Sequence, residues 1–444
     1  MVNLHDDFLK RMKILLENDY CKFLESLNDN PAVGIRINTL LVKNPDIVVN
    51  SLPFKMKRLD FLQYGFRLIE KYDGLGKLPA HHAGAFYVQD PSAMTAVCAL
   101  DPQPGDRVLD LCAAPGGKST QIAACLNGEG LLVANEIKKA RVNDLISNLE
   151  RMGVKNAVVF SKTPSDLISN YREYFDKVLV DAPCSCEGMF RKNPHAVCQW
   201  SAKYSNSCAV RQKDIMHAAA KAVRPGGTLV YSTCTFSVEE DEEVVRDFLE
   251  KNNDFVLEPI EINFGSPSTL KQIMPKARYM RRIFPYQGGE GHFVAKLKRK
   301  GNLRIDCALF NDFVQIDSFN EFWVQTFDMP VPKVARFGDN VMIVPKDMPK
   351  VNRALRVGIL AGSIKNNRFI PKHHLFKCDM KLKEDRVLNL SFDDDRVVGF
   401  LKGEEIPCSL KGYLGVKVSG IPLGFGKGSN GKLKNHYPKG LRLV

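Results

Sequence analysis

The sequence lacks the patterns typical of membrane proteins, of secreted proteins and of structural metal sites. Its 444 residues contain no apolar run of membrane-spanning length, and the charged N-terminal stretch MVNLHDDFLKRMKILL is unlike a signal peptide. None of its 12 cysteines form a C-x-x-C pair, so we expect reduced thiols and no metal site. Repeats and low-complexity segments are also missing. We therefore expect a cytoplasmic protein with several folded cores.

Positive charge is in excess and is unevenly distributed. Lys and Arg number 63 against 50 Asp and Glu, which gives a net charge of +13. Residues 406–444 contain seven basic residues and no acidic one, and residues 271–300 contain nine basic residues beside Glu290. A basic solvated surface gives the same total, but clustering of this kind favours a surface that contacts the backbone of a nucleic acid.

Hydrophobic periodicity divides the chain into three parts with different predicted secondary structure. Residues 1–80 are typical of a small α+β unit, and residues beyond 300 form short strands separated by glycines and prolines. Between them, strands and helices alternate, which predicts an α/β fold with a mostly parallel, doubly wound sheet. Strands are predicted at 107–112, 131–136, 157–161, 176–181 and 227–232, and helices at 117–127, 138–152, 198–223 and 237–252. Ser237 and Glu240 predict a capping box at the start of the last helix.

Two cysteine-bearing stretches are the most informative segments. DAPCSCEG begins at Asp181 and YSTCTF contains Cys234, and each follows an apolar strand. Both should therefore lie at the carboxyl edge of the sheet, where open α/β proteins place ligands and chemistry. Cys184 or Cys234 alone could be a buried, inert thiol. Two thiols and a carboxylate at one edge favour covalent catalysis.

A third segment, RVLDLCAAPGGKST, predicts a strand, a turn of small residues and a helix. A phosphate-binding loop would need glycine where Cys112 stands, and the adjacent Gly116 and Gly117 do not form the dinucleotide pattern. Glu136 follows Gly117 by 19 residues and is placed to accept hydrogen bonds from a ribose. A nucleoside without phosphates fits best, and S-adenosylmethionine is such a cofactor. We expect a bulky residue at Gly116 to fill the cofactor's volume.

Three strings, LCAAPGGKST, DAPCSCEGMFRKNP and YSTCTFSVEEDE, closely resemble motifs I, IV and VI of the RNA cytosine-C5 methyltransferases, the Sun/RsmF family. RIFPYQGGEGHFVAKLKR and PLGFGKGSNGKLKNHYPKGLR also match, and the resemblance is closest to the RsmF-like branch that acts on 16S ribosomal RNA. It implies a Rossmann-like class I methyltransferase core with a mostly parallel seven-stranded sheet, closed by reversed strands at RYMRRIF and HFVAKL. The implied domains are an N-terminal RNA-binding α+β cap (1–80), the methyltransferase core (81–300), a first β-rich module (301–375) and a PUA-like RNA-binding module (376–444).

The same resemblance implies a role for each candidate residue. Cys234 would attack C6 of cytosine, because C5 is too poor a nucleophile until a thiolate has added to C6, and Cys184 would assist product release. Asp181 would contact base and cofactor, and Lys118 would hydrogen-bond the base. The expected cofactor contacts are Cys112, Ala113, Ala114, Pro115, Gly116, Gly117, Lys118, Glu136 on the ribose, Arg141 orienting Glu136, Thr163 near adenine, and Asp181. Thr163 stands where the family usually has an acidic residue, and Cys186 where it generally has glycine.

The expected function is S-adenosylmethionine-dependent methylation of cytosine C5 in RNA, with 16S ribosomal RNA as substrate and the protein acting as a monomer. Transfer RNA is the alternative substrate. Two other classes stay open: an inert RNA-binding assembly factor, which would lack Cys234, Cys184 or Asp181, and a DNA cytosine methyltransferase. The DNA enzymes share a Pro-Cys element such as Pro183-Cys184 but lack a following Thr-Cys element and this C-terminal tail.

Overall fold

The N-terminal part forms a four-stranded antiparallel sheet in the order β2-β3-β1-β4. The computed structural model describes residues 4–305, 308–350 and 353–443, and all statements below concern these residues. The elements of this part are α1 (Asp6–Leu16), α2 (Tyr20–Ser26), β1 (Gly34–Ile37), α3 (Pro45–Ser51), β2 (Met56–Leu59), β3 (Leu62–Leu68), α4 (Pro79–His82) and β4 (Phe86–Val88). Phe8 of α1 packs edge-on against Phe190 and Trp200 of the central part, so the first helix covers the segment that follows the DAPCSCEG stretch.

The central part contains one large sheet with helices on both faces. Its strands are almost entirely buried, as expected for parallel strands between two helical layers. The elements are α5 (Pro91–Leu100), β5 (Arg107–Asp110), α6 (Gly117–Leu126), β6 (Leu131–Asn135), α7 (Lys139–Arg151), β7 (Ala157–Phe160), α8 (Pro164–Ile168), β8 (Phe175–Asp181), α9 (Pro194–Gln199), α10 (Ala202–Ala220), β9 (Val223–Thr233), α11 (Glu242–Lys251), β10 (Phe255–Glu258), β11 (Ser266–Pro267), β12 (Arg281–Ile283) and β13 (His292–Arg299).

Five of these strands are parallel and lie in the order β9-β8-β5-β6-β7. Strand β13 runs antiparallel to β9, and β10 pairs antiparallel with β13, which completes seven strands. Short strands extend the sheet to ten within the described residues: β11 and β12 beyond β13, and Arg356–Val357 beside β7. The predicted fold class, a Rossmann-like methyltransferase core, is confirmed.

Two predicted helices differ from those observed. The stretch 198–223 is interrupted near Trp200, because Ser201 accepts a hydrogen bond from the Tyr204 N–H (3.1 Å) and begins a new helix, α10. The predicted capping box at 237 is wrong in one half. Ser237 Oγ accepts from the Glu240 N–H (3.4 Å), but the Glu240 carboxylate bonds the backbone of Ser185, and α11 begins only at Glu242.

The C-terminal part contains two further sheets, in the orders β14-β15-β17-β18 and β19-β21-β22-β23-β20. No helix within the described ranges is long and apolar enough to cross a membrane. The elements are α12 (Asp317–Thr326), β14 (Val334–Phe337), β15 (Asn340–Ile343), β16 (Arg356–Val357), β17 (Ile359–Lys365), β18 (Arg368–Pro371), α13 (His373–Lys377), β19 (Val387–Leu390), α14 (Asp395–Lys402), β20 (Ile406–Pro407), β21 (Gly412–Val418), β22 (Ile421–Ser429) and β23 (Lys432–Asn435).

The last sheet packs against the N-terminal sheet. Buried side chains of both, among them Phe66 and Phe400, belong to one hydrophobic cluster. The buried Lys377 side chain donates to the carbonyls of Ala83 (2.7 Å), just after α4, and of Pro422 (2.6 Å) on β22, and so joins the N-terminal part to the last sheet. The terminal segment 406–444 therefore contributes to the core in addition to its basic surface. The domain boundaries drawn from the sequence stay a prediction.

Candidate active site

Parallel strands β5, β6, β8 and β9 end at one edge of the central sheet, and the predicted site residues follow these ends. The turn 111–116 follows β5, Glu136 follows β6, and Asp181 closes β8. Cys234 follows β9 directly. As expected for ligand sites at the carboxyl edge of a parallel sheet, the turn 111–116, the Asp181 carboxylate and both thiols lie at the same edge.

The thiols of Cys184 and Cys234 are in contact. Their Sγ atoms lie 3.3 Å apart, and the Sγ of Cys186 lies within 4.8 Å of both. Cys184 is buried, whereas Cys186 and Cys234 are partly exposed. Hydrogen bonding within the cluster lowers the pKa of Cys186, whereas contact with Cys186 and burial raise the pKa values of Cys184 and Cys234 well above their usual range. One negative charge is thus stabilised among three sulfur atoms.

Two buried glutamates hold the cysteine loops at this spacing. Glu240, after Cys234, accepts the backbone N–H of Ser185 in the opposite loop (2.9 Å). Glu187, after Cys184, accepts the backbone N–H of Phe236 (3.0 Å). We call this pair the glutamate clamp. The sequence analysis missed it, because nothing in either segment shows that each acid bonds the backbone of a loop about fifty residues away.

Further partners make both clamp carboxylates well-bonded acceptors. Glu240 accepts from the Ser205 hydroxyl (2.7 Å) and from the Gln212 amide (2.8 Å). Glu187 accepts from the Trp200 indole N–H (2.8 Å). Burial raises the pKa of Glu240 against the opposing effect of its hydrogen bonds. A buried carboxylate with several donors fixes the position of those donors closely, since each lost bond leaves a buried polar group unpaired.

Asp181 forms an ion pair with Lys118 beside the thiols. Lys118 Nζ lies 2.8 Å from Asp181 Oδ2, and the Ser232 hydroxyl donates to Oδ1 (2.9 Å). Burial opposes ionisation, but the charge of Lys118 and the hydrogen bonds from Lys118 and Ser232 contribute to a net lowering of the pKa of Asp181. Burial also lowers the pKa of His292, 3.9 Å from Asp181, to about 3, so this imidazole is neutral at neutral pH. Asp181 is therefore a carboxylate with one cationic neighbour.

A cavity of about 210 Å³ lies between the turn after β5 and the end of β8. Tyr87 and Gln89 line its opposite side. Burial raises the pKa of Cys112, so its thiol is neutral. The predicted cofactor residues that line the cavity are Cys112, Ala113, Ala114, Pro115, Gly117, Lys118 and Asp181.

Gly116 does not have the predicted orientation. Its φ of +110° suits glycine, but an added Cβ would meet Leu145 (3.3 Å) and Asn148 (3.4 Å) of α7 rather than the cavity. At Gly117 an added Cβ would meet Tyr87 (3.3 Å) and Gln89 (3.4 Å), which line the cavity. A side chain at Gly116 would therefore point away from the cavity, contrary to the expectation, whereas one at Gly117 would meet residues that line it.

Glu136 and Arg141 lie at the outer side of the turn. Glu136 accepts the Lys138 N–H (2.8 Å), and its second oxygen lies 3.5 Å from the Arg141 guanidinium. Arg141 also donates to the Ala114 carbonyl (2.6 Å) and so connects the acid to the turn. Thr163 is exposed, and its hydroxyl caps α8 by accepting the Asp166 N–H (3.2 Å). Its contact with adenine stays a prediction.

Asp110 is a second carboxylate that the sequence analysis missed, although it lies within the quoted motif. Its Oδ2 accepts from Ser119 (2.6 Å), whereas its buried Oδ1 has no hydrogen-bond partner among the described residues. Burial, with Asp181 nearby, raises the pKa of Asp110 to about 7. Because Asp110 lines the cavity, two carboxylates face it, Asp110 and Asp181, together with the Lys118 ammonium. The carboxylates suit a cationic nucleoside such as S-adenosylmethionine.

Three family models match the chain. Residues 97–298 match the model described as 16S rRNA methyltransferase RsmB/F. Residues 4–91 match the N-terminal domain of 16S rRNA methyltransferase RsmF, and residues 387–443 match the methyltransferase RsmF PUA domain. The ribosomal RNA small subunit methyltransferase F of Vibrio campbellii is 30% identical over 99% of this chain and 98% of its own length. The Escherichia coli protein of that name is 35% identical over 66% of this chain and 63% of its own.

Solved structures agree with the fold. A methyltransferase homolog protein from Pyrococcus horikoshii superposes with a TM-score of 0.60 at 27% identity, covering 67% of this chain and 96% of that one. NSun6 from Pyrococcus horikoshii, solved with SFG, gives a TM-score of 0.59 at 23% identity over 67% of this chain and 99% of that one, and supports the fold alone. The chain belongs to the RsmB/F family of 16S ribosomal RNA methyltransferases and is an S-adenosylmethionine-dependent enzyme.

Proposed function

We propose that this enzyme methylates C5 of a cytosine in 16S ribosomal RNA through a covalent bond between Cys234 and C6 of the base. The observation that carries the proposal is the contact of two thiols, 3.3 Å apart, at the sheet edge that also holds the Lys118–Asp181 ion pair. A methyltransferase acting on a nucleophilic nitrogen or oxygen atom needs no thiol. Two thiols suit a carbon that must first be activated by conjugate addition.

The geometry favours Cys234 as the attacking thiol. It is partly exposed and can reach a bound base, whereas Cys184 is buried behind it. Attack of the Cys234 thiolate forms a C6–S bond and places electron density on C5 and N3. The Lys118 ammonium is the cationic group available to stabilise that density, and the Asp181 carboxylate holds the ammonium in position. When bound, S-adenosylmethionine supplies the methyl group that C5 takes.

Release of the product requires transfer of the C5 proton to a base such as water and cleavage of the C6–S bond. The electrons of the C5–H bond then restore the ring double bond, and Cys234 leaves as a thiolate. Cys184 Sγ is in contact with the departing sulfur and is placed to assist this step. The glutamate clamp keeps both sulfurs at the required separation.

Ribosomal RNA is favoured as substrate over the alternatives. Relatives that are similar along the whole chain bear the name of a ribosomal RNA methyltransferase, which places transfer RNA second. The contact between Cys184 and Cys234 argues against an inert assembly factor and against a DNA enzyme with a single thiol. Thiols, carboxylates and cavity all come from one chain, which supports action as a monomer, in the cytoplasm where ribosomal RNA is found.

The last module offers a surface for the RNA backbone. Exposed lysines lie on β22, on β23 and in the loop before β21, and Lys427 lies opposite Lys434 in the strand register. Lys427 also lies over the Tyr413 ring, 5.4 Å from its centroid. Cations beside an aromatic ring suit contacts to phosphates and bases. The lysines of this surface are Lys411, Lys427, Lys432 and Lys434.

The test is methyl transfer from labelled S-adenosylmethionine to 16S ribosomal RNA, to the small subunit and to transfer RNA, followed by bisulfite sequencing. We expect 5-methylcytosine in the ribosomal RNA, and the same position should be unmethylated in cells without the gene. If only transfer RNA were methylated, ribosomal RNA would be the wrong substrate and transfer RNA the right one. A methyl group on any atom other than C5 would contradict the mechanism.

A further inference from the structure

The three sulfur atoms have the spacing of a metal site. Tetrahedral zinc with Zn–S bonds of about 2.3 Å places two sulfur ligands about 3.8 Å apart. The Sγ atoms of Cys184, Cys186 and Cys234 are separated by at most 4.8 Å, with one pair at 3.3 Å. Small side-chain rotations within this range bring all three to the same ion. Thiolate ligands prefer soft cations such as Zn²⁺ over Mg²⁺ or Ca²⁺.

Cys186 is the unusual member of the cluster. Its backbone is in the left-handed conformation, with φ +60° and ψ +34°, which glycine adopts without strain and other residues do at a cost. The reaction proposed above uses only the other two thiols, so it gives no reason for a third. A strained non-glycine residue beside an active site points to a role for its side chain.

The cluster is accessible from one side. Cys186 and Cys234 are partly exposed, so an ion can enter from the side on which RNA would bind, and the buried Cys184 closes the other side. Binding of a divalent ion would release the thiol protons and make affinity rise with pH.

We propose that Cys184, Cys186 and Cys234 form a zinc site with three thiolate ligands and a fourth position open to solvent, and that zinc occupying it reversibly inhibits methylation. Inhibition rests on the proposed function, since zinc would hold both the nucleophile and the assisting thiol. The binding itself does not rest on it. Zinc would then act as a competitor of the RNA base and leave the cofactor cavity free.

The first experiment measures Zn²⁺ binding to the full-length, reduced protein by competition with a chromophoric chelator. The wild type should bind one ion at the cluster, and X-ray absorption should show three sulfur ligands at about 2.3 Å. Cys186→Gly suits the backbone and removes one ligand, so zinc affinity should fall by more than about 100-fold. Cys198→Ser, which removes an exposed thiol on α9, is the matched control and should bind as the wild type does.

The second experiment measures methylation with and without Zn²⁺. Each variant is compared with its own metal-free rate. Added Zn²⁺ should inhibit the wild type and Cys198→Ser, with recovery on chelation, and should leave the rate of Cys186→Gly at its metal-free value. Equal zinc affinity of Cys186→Gly and the wild type would overturn the inference and leave the proposed function intact. Full methylation by Cys234→Ala would instead overturn the proposed function, and the chelator competition would still decide the zinc site.

Discussion

The two halves of the catalytic edge are built in different ways. On the cofactor side, one continuous segment supplies a strand, the turn 111–116 and a helix, and Arg141 secures the turn from a nearby helix. On the thiol side, two loops about fifty residues apart depend on the reciprocal bonds of Glu187 and Glu240. The cofactor side is therefore formed mainly by residues close in sequence, whereas the spacing of the thiols depends on tertiary contacts. Substitutions on one side should therefore leave the properties of the other side unchanged.

The largest effect is expected from Gly117→Val on the cofactor side. Its side chain would meet Tyr87 and Gln89 in the cavity, so cofactor affinity should fall by more than about 100-fold, as overfilling a close-packed site predicts. Glu136→Ala, which removes charge-assisted hydrogen bonds, should cost about 1.5–3 kcal/mol of binding. Calorimetry with S-adenosylmethionine measures both.

The control for these variants is the alkylation rate of Cys234, which should be unchanged because the thiol side is intact. If both variants bound the cofactor as tightly as the wild type, the cavity would not be the cofactor site. If the alkylation rate of Cys234 changed by the same factor as the cofactor affinity, the two halves would not be independent.

An intermediate effect is expected from Glu240→Gln on the thiol side. One carboxylate oxygen of Glu240 accepts hydrogen bonds from the Ser185 N–H and the Gln212 amide. In the variant an NH₂ group can stand in its place, and the unpaired donors would reduce the free energy of unfolding by about 1–3 kcal/mol. We expect kcat to fall by about tenfold to 100-fold while cofactor affinity is unchanged. Glu239→Gln, the neighbouring and more exposed acid, is the matched control and should retain kcat. Equal kcat values for both variants would refute the clamp.

The smallest effect is a pH dependence confined to the cofactor side. Asp110, with a pKa of about 7, carries a proton at lower pH and a negative charge at higher pH. Because a charged wall attracts a cationic cofactor, affinity should rise by about threefold to tenfold between about pH 6 and about pH 8. Asp110→Asn should abolish this slope and leave Cys234 alkylation unchanged. A slope that persists in Asp110→Asn would assign it to another group.

The contrast between the two halves also explains what the sequence could predict. The strand, turn and helix around Cys112–Lys118 follow from contiguous small and apolar residues, and the position of Asp181, Cys184 and Cys234 after parallel strands places them together. The orientation of Gly116 could not be predicted, because it depends on where Leu145 of α7 lies. The spacing of Ser237 and Glu240 is that of a helix capping box. In the folded protein, however, the Glu240 carboxylate accepts a hydrogen bond from the Ser185 N–H, and the sequence does not show that this distant loop lies nearby.

The central claim is that Cys234 attacks the base and that Cys184 releases it. The most direct measurement is a denaturing gel of enzyme incubated with 16S ribosomal RNA and S-adenosylmethionine. Cys184→Ala should accumulate a slow-migrating protein–RNA adduct, because its nucleophile is intact but release is impaired. Cys234→Ala should give neither adduct nor methylation. An adduct with Cys234→Ala and none with Cys184→Ala would reverse the two roles, and full activity of both variants would contradict cysteine catalysis altogether.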